Sequence, residues 1–451
     1  MTEPALTSSM IYAPSRPAVR SRQFTTEFNP TNQQTANPDS TTKIDIDGQA
    51  GQYLNQAQSV FTFKVNNSNS TDALSPDGGA WSFIRRLEVY CGSNLLESID
   101  EYGAMYTLMM DCQVNGADRG NNHSISSGCN NDDNSICNTR GRFIAPSGNS
   151  TYSIPLISGV VGGNCPKYLP LDTTAPLRLE VTWASVGVGG VNSGTTGAAP
   201  SGTATGAPST SNDWTVTDCT YVGSIIQLDA DAERVVQVQT GGTGNLAIST
   251  NTYRNYNTTL ASASSSLSFL IACKATSLNA IYVIHRNQTS ATGGTNDAGT
   301  SVGGRSKMDM TKYQFKIGNQ NAPQTQVDCA DPANEAFQAL MGSLHAIGDT
   351  TSHTCINNTT YNLDNVTDGT DTNTADNVTL SSANDGKYAV GIELESYSHK
   401  TDVSESGVNT LGSQIFFEGT YDSTPAASRV DAYCNFSARL ELVNGLYQMR
   451  F

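Results

Sequence analysis

The chain has 451 residues, a formal net charge of −16 at pH 7 and only 15% charged residues. Nucleic-acid wrapping needs clustered Lys and Arg to displace counterions from phosphates, and 25 basic residues without a basic run exclude that role for the body of the chain. No stretch of about 18 apolar residues occurs and the first residues are polar, so neither a membrane-spanning helix nor a secretory signal is expected.

Residues 1–28 carry Arg16, Arg20 and Arg22 beside Pro14 and Pro17, and read as an unstructured, basic-leaning arm. Alternation then begins: Phe61, Phe63 and Val65 are separated by Thr62 and Lys64, which predicts a half-buried strand. After the run Leu87 to Cys91 and the pair Gly92-Ser93, apolar residues recur at three- and four-residue spacing from Leu95 to Met109, which predicts a helix over 94–110. Leu177, Leu179, Val181 and Trp183 form another alternating strand. Residues 187–212 hold neither a charge nor an aromatic and are almost wholly Gly, Ala, Ser, Thr and Pro. They cannot bury a core and read as a linker or a projecting loop.

Leu267, Phe269 and Ile271 alternate, and so do Tyr313, Phe315 and Ile317 before Gly318-Asn319. A second helix is predicted over 331–348, with Asp331 as N-cap and Pro332 at the first helical position. Two polar insertions, 287–306 and 357–385, flank this region. A last alternating strand surrounds Leu440 and Leu442. Strand, glycine turn and helix thus occur once per half, with a long strand near Arg178 closing the first half and one near Arg439 closing the second. This is the pattern of a duplicated all-β sandwich domain. Ten cysteines lie between Cys91 and Cys434 with no Cys-x-x-Cys pair, and are read as reduced, partly buried thiols.

Several blocks carry a resemblance. One is Ser82-Phe-Ile-Arg-Arg-Leu-Glu-Val-Tyr-Cys-Gly-Ser-Asn-Leu-Leu-Glu97. Others are Ile154-Pro-Leu-Ile-Ser-Gly159 with Lys167-Tyr-Leu-Pro-Leu171 and Pro176-Leu-Arg-Leu-Glu180, then Gly391-Ile-Glu-Leu-Glu-Ser396 with Glu405-Ser-Gly-Val-Asn-Thr-Leu-Gly412, then Arg429-Val-Asp431 and Arg439-Leu-Glu-Leu-Val443. In this order, over roughly 42–451, the chain resembles the double jelly-roll major capsid proteins of tailless icosahedral DNA viruses, among them those of polinton-like viruses and virophage-type relatives. The resemblance implies an all-β chain of two tandem eight-stranded jelly rolls, with one short helix per half and long polar loops. The expected division is an arm at 1–28, a first roll at 29–186, a loop or linker at 187–213 and a second roll at 214–451. It implies a homotrimeric, pseudo-hexameric capsomer tiling an icosahedral virion shell, with neighbouring capsomers, a vertex penton and minor capsid proteins as partners. It implies a virion location, with assembly in the host cytoplasm or nucleus, and no catalytic residue, metal or cofactor. Arg16, Arg20 and Arg22 become candidate assembly-arm residues.

The other motifs are weak. Gly299-Thr-Ser-Val-Gly303 fits a nucleophile elbow but sits in a Gly/Thr/Asn loop. Glu393 and Glu395 face one way on a predicted strand, as a solvated face or contact more readily than as a glycosidase pair. His353 and Cys355 are two ligands, too few for zinc, and the aspartates of 364–376 lack the EF-hand order. Sequons such as Asn69, Asn149, Asn257, Asn365 and Asn435 follow from composition. Two other function classes remain at this stage. A β-sandwich adhesin or receptor-binding protein should show a shaft repeat or an anchor. A carbohydrate-active enzyme should show aromatic clefts, for which Trp81, Trp183 and Trp214 are the only tryptophans.

Overall fold

The computed structural model describes residues 20–68, 70, 73–76, 79–128, 144–172, 175–184, 191–194, 214–239, 246–287, 302, 305–330, 333–346, 354–362, 371–373, 378–380, 386–396, 405–422, 427–443 and 445–451. In the first half the alternating segments form β1 (Ser21–Phe28), β2 (Thr41–Ile46), β3 (Gln52–Asn67), β4 (Ile84–Cys91), β5 (Asn94–Asp100), β6 (Asn149–Ile154), β7 (Leu177–Trp183) and β8 (Trp214–Leu228). Two antiparallel sheets result, ordered β1-β8-β3-β6 and β2-β7-β4-β5. The second half gives β9 (Ala247–Leu260), β10 (Ser266–Ile271), β11 (Leu278–Asn287), β12 (Met310–Ile317), β13 (Gln320–Asp328), β14 (Val390–Glu393), β15 (Ile415–Tyr421) and β16 (Ser428–Val443). Its sheets are ordered β9-β16-β11-β14 and β10-β15-β12-β13, the same two orders advanced by eight strands. Each half is therefore an eight-stranded jelly roll, and the chain is a double one. A final strand, β17 (Leu446–Arg450), pairs with β16.

The alternation places the cores as expected. Phe61, Phe63 and Val65 of β3 and Leu177, Leu179, Val181 and Trp183 of β7 are all buried. Phe63 meets Trp183 at 5.2 Å between ring centroids, and Phe83 meets Trp214 at 5.2 Å. In the second roll Tyr313, Phe315 and Phe417 pack likewise, with Phe315 and Phe417 at 5.3 Å. Trp81, Trp183 and Trp214 are at most 1% exposed, so none of them lines a cleft.

Several expectations are corrected. Residues 94–110 are not one helix: 94–100 form β5 and the helix, α1, spans Tyr102–Gln113. β5 loses its period-two signature at a bulge opposite Tyr90, which places the buried Leu96 and Glu97 in succession while Leu95 stays exposed. The second helix, at the matching place after β13, spans Asn334–Ser343; its predicted cap, Asp331 with Pro332, lies outside the described residues. Most of residues 187–213 lies outside the described residues, but the second roll does not begin at Trp214. The segment that follows them, β8, inserts between β1 and β3 of the first roll, with Tyr221 opposite both Phe28 and Phe61. The junction lies instead at a helix the sequence did not announce, α2 (Ala230–Gln239), and the second roll starts at β9; the helix of the second roll is then α3. Residues 21–28 are a sheet strand, so at most the residues before them form an arm. The long strands near Arg178 and Arg439 are not equivalent either: Arg178 is on β7, whose counterpart is β15, while Arg439 is on β16, the counterpart of β8.

The glycine repeat is sound. Gly92 joins β4 to β5 at φ 58° and Gly318 joins β12 to β13 at φ 59°. A side chain is strained there, so Gly92→Ala and Gly318→Ala should each cost about 1–2 kcal/mol. A Cβ at Gly92 would also stand 3.1 Å from Leu446 Cδ2, whereas one at Gly318 meets Ser413 Oγ at 3.3 Å. Urea midpoints of the two variants check this, with Gly92→Ala expected to be the worse.

Connections in such a roll alternate between its two ends. The β3–β4, β5–β6 and β7–β8 connections share one end with the β11–β12 and β13–β14 connections of the second roll. The three polar insertions, 187–212, 287–306 and 357–385, all belong to that end. The turns at 92–93 and 318–319 belong to the other.

Candidate functional site

The most highly organised polar chemistry among the described residues lies in the seam between the two rolls. Asp111 sits on α1 among Met109, Met110 and Cys112, and is fully buried. One carboxylate oxygen pairs with Arg119, and the other meets Arg305 Nη2 at 2.7 Å. Arg305 belongs to the second roll, and its guanidinium also donates to the carbonyl of Tyr388 at 3.3 Å. The Cys355 backbone N–H donates to the Asp111 carbonyl at 3.0 Å, and Lys387 Nζ to the Cys355 carbonyl at 3.2 Å. Burial alone would raise the Asp111 pKa; Arg119, then Arg305 and Lys387, outweigh it and hold the carboxyl well below the ordinary range.

A second cluster centres on Arg286 of β11. Its Nη2 lies 2.6 Å from Asp431 of β16 and 2.9 Å from Glu101, which connects β5 to α1 of the first roll. Arg429 adds contacts to Asp431 at 3.0 Å and Glu101 at 3.4 Å. Burial opposes the Arg286 charge, but Asp431 and Glu101 more than offset it and raise its pKa. Glu97 of β5 makes a third contact. It is buried and accepts from the hydroxyls of Ser158 and Thr252 and from the backbone N–H of Gly159 at 3.0 Å. Thr252 lies on β9 of the second roll. Burial raises the Glu97 pKa, partly countered by these three donors. Tyr447 of β17 completes the seam by donating from its hydroxyl to the Pro170 carbonyl at 3.0 Å.

These charges lock two sandwiches into one block; none of them opens onto a cleft. Sequence reasoning missed them, although single charges inside apolar runs, such as Asp111 in Met-Met-Asp-Cys and Arg286 after Ile-Tyr-Val-Ile-His, were a usable signal. Of the candidate arm residues, Arg16 lies outside the described residues. The Arg20 carbonyl accepts from Asp229 N–H at 3.2 Å. Arg22 Nε donates to Gln227 Oε1 at 2.8 Å and its guanidinium covers Phe24 at 5.4 Å. Both described arginines thus lie along the edge of the first roll.

Glu393 and Glu395 do point the same way, and His345 stands between them, with ring nitrogens 3.3 Å from one oxygen of each. Of Gly299–Gly303 only Val302 is described, and His353 and His399 lie outside the described residues, as does most of 364–376. Among the described residues no group of three His, Cys, Asp or Glu could hold a metal ion, and no helix is long and apolar enough to cross a membrane. All eight described cysteines carry free thiols, seven of them buried.

The architecture defines a class of fold, the double jelly roll. No protein-family model matches the chain, and no curated protein sequence does. Solved structures do match. A chain of the PBCV-1 virus capsid is 10% identical, with 97% of this chain and 98% of that one covered and a TM-score of 0.59. A chain of the Sputnik virophage is 11% identical, with 100% and 93% covered and a TM-score of 0.59. The mavirus major capsid protein is 7% identical, with 99% and 93% covered and a TM-score of 0.51. The chain shares its fold with these proteins from end to end.

Proposed function

We propose that this chain is a major capsid protein, whose copies close into pseudo-hexameric homotrimers that tile an icosahedral virion shell. The full-length likeness of fold to capsid proteins supports the class. One observation carries the trimer. Inside the chain, roll one presents its β5 edge to roll two, where β9 and β17 pack against it. The counterparts of these partners are open. β13, equivalent to β5, is exposed along nearly its whole length, and β1, equivalent to β9, is exposed apart from Phe28 and the partly buried Phe24 and Thr26. A chain with one occupied seam and two matching free edges joins head to tail, and head-to-tail contacts close into rings. Six rolls, from three chains, make the proposed ring. Pro323 lacks a backbone donor and so keeps β13 from simply extending a neighbour's sheet; the seam inside the chain likewise pairs no strand of one roll with a strand of the other.

The remaining assignments follow from this reading. The loop-bearing end faces outward or toward ligands, because polar insertions need solvent. The residues before β1, including Arg16, with Arg20 and Arg22 at their root, tie a capsomer to its neighbours or to an underlying layer. Neighbouring capsomers, a vertex penton and minor capsid proteins are the partners, and the virion shell is the location. The role is structural and non-catalytic, and buried tryptophans and the His345-bridged carboxylates weigh against the glycosidase alternative.

Light scattering on the purified chain tests the proposal. The expected species has close to three times the chain mass of 47.8 kDa and a hexagonal outline in negative stain. Thr325→Lys with Gln326→Lys on the β13 edge should shift it toward monomer without lowering the melting temperature of the monomer. A parent chain that stays monomeric, or forms an elongated trimer, overturns the reading and returns the adhesin alternative.

A further inference from the structure

Within the β13–β14 connection, the start of α3 faces the single helical turn Asn358–Tyr361 across a cleft of about 190 Å³. Phe337 and Tyr361 form one wall, their rings meeting edge to face at 5.0 Å. Tyr361 is held from behind, donating its hydroxyl to the Ala389 carbonyl at 2.8 Å. Four carboxamides, Asn334, Asn357, Asn358 and Asn362, line the rest with Ala333 and Ile356. Asn362 is a brace. Its Nδ2 donates to the Asn358 carbonyl at 3.1 Å and to Asn358 Oδ1 at 2.8 Å, while its Oδ1 accepts from Ala333 N–H at 3.1 Å. Asn357 is oriented by its other end, Oδ1 accepting from the Thr360 N–H at 2.8 Å and hydroxyl at 3.0 Å. Its two Nδ2 hydrogens have no partner among the described residues, and the Asn334 carboxamide has none either.

We propose that this cleft binds one ring of a neutral saccharide, a hexose or an N-acetylhexosamine. A carboxamide both donates and accepts: the anchored Asn357 offers its two Nδ2 hydrogens, and Asn334 a donor and an acceptor, which together suit adjacent ring hydroxyls. An aromatic wall receives the apolar C–H face of the ring. No lining residue is charged, and the nearby carboxylate of Glu335, together with the net charge of −16, disfavours an anion. Pockets for drug-sized ligands run about 300–1,000 Å³, so a cleft this small takes a single ring and leaves the remainder of a glycan in solvent. The proposal goes beyond the shell reading and does not depend on it, since oligomeric state is read separately.

Saturation-transfer NMR on the full-length protein with methyl glycosides of glucose, mannose, galactose and N-acetylglucosamine, and with sialic acid as the anionic control, provides the test. At least one neutral glycoside should bind with a Kd on the order of 1 mM, and sialic acid should not. Asn334→Ala and Asn357→Ala should each weaken binding about tenfold, with light scattering and melting temperature unchanged. Phe337→Leu, which keeps the apolar volume, should remove saturation from the ring C–H protons. Absence of binding by every neutral glycoside overturns the proposal, and so does binding that survives both asparagine variants.

Discussion

Alanine in place of Asp111 will lower folding stability by about 3–5 kcal/mol, the cost of leaving a buried charge uncompensated. The size follows from what the carboxylate faces. Arg119 and Arg305 are each no more than 1% exposed, and a guanidinium cannot shed its charge at accessible pH. Without Asp111 the two guanidinium charges lose the buried carboxylate that neutralises them, with Lys387 close by. Asp111→Asn keeps the volume but not the charge, so most of the loss should remain. A triple variant, Asp111→Leu with Arg119→Met and Arg305→Met, removes the whole cluster and should recover much of it, since buried ion pairs often exchange for apolar groups at little cost. Urea midpoints of the three variants make the comparison. Trp81, Trp183 and Trp214 all lie in the first roll, so their emission follows that roll while circular dichroism follows both. An Asp111→Ala midpoint equal to the parent's would show that the cluster does not hold the seam.

The same seam explains which parts of the fold were legible in the sequence. Strands with one wet face, such as β3 and β7, kept their period of two and were read correctly. β5 did not, because a bulge opposite Tyr90 inserts Leu96 beside Glu97, which the seam buries, and its Leu95, Leu96 and Ile99 then ran on into the helical spacing of α1. The all-β class, the duplication and the matching turns at Gly92 and Gly318 rest on local chemistry and were visible. The domain boundary was not. Residues 187–212 have the composition of a linker, yet composition says nothing of which strand follows pairs with which. The closing strand of a jelly roll returns beside its first, and β8 pairs with β1 across nearly two hundred positions of sequence. The charged seam was hidden for a related reason: Asp111 and Arg119 are eight positions apart, but Arg305 comes from the second roll and meets them only when both rolls are folded.

Stability of the second roll should fall by about 3 kcal/mol as pH drops from about 6.5 to about 4, through one buried imidazole. His285 lies on β11, fully buried beside Phe417, with Nε2 2.7 Å from the Tyr421 hydroxyl. Its Nδ1 is buried without a hydrogen-bond partner. Burial pushes its pKa down to about 4. In the unfolded chain the same ring takes a proton near pH 6.5, so between these values the unfolded state binds more protons than the folded one, and acid favours unfolding. The contribution is complete above pH 6.5 and is lost as pH falls toward 4. His123 shifts in the same direction but is only half-buried, so it adds less. The carboxylate of Asp111 acts in a separate window: its folded pKa is depressed, so its contribution is present above the unfolded carboxylate pKa and is lost only at lower pH. His285→Phe with Tyr421→Phe removes both polar partners from the core without stranding either. Urea midpoints of this double variant should stay nearly flat from pH 6.5 to 4, where those of the parent decline. Parallel profiles for the two chains would rule His285 out as the acid-sensitive group of the second roll.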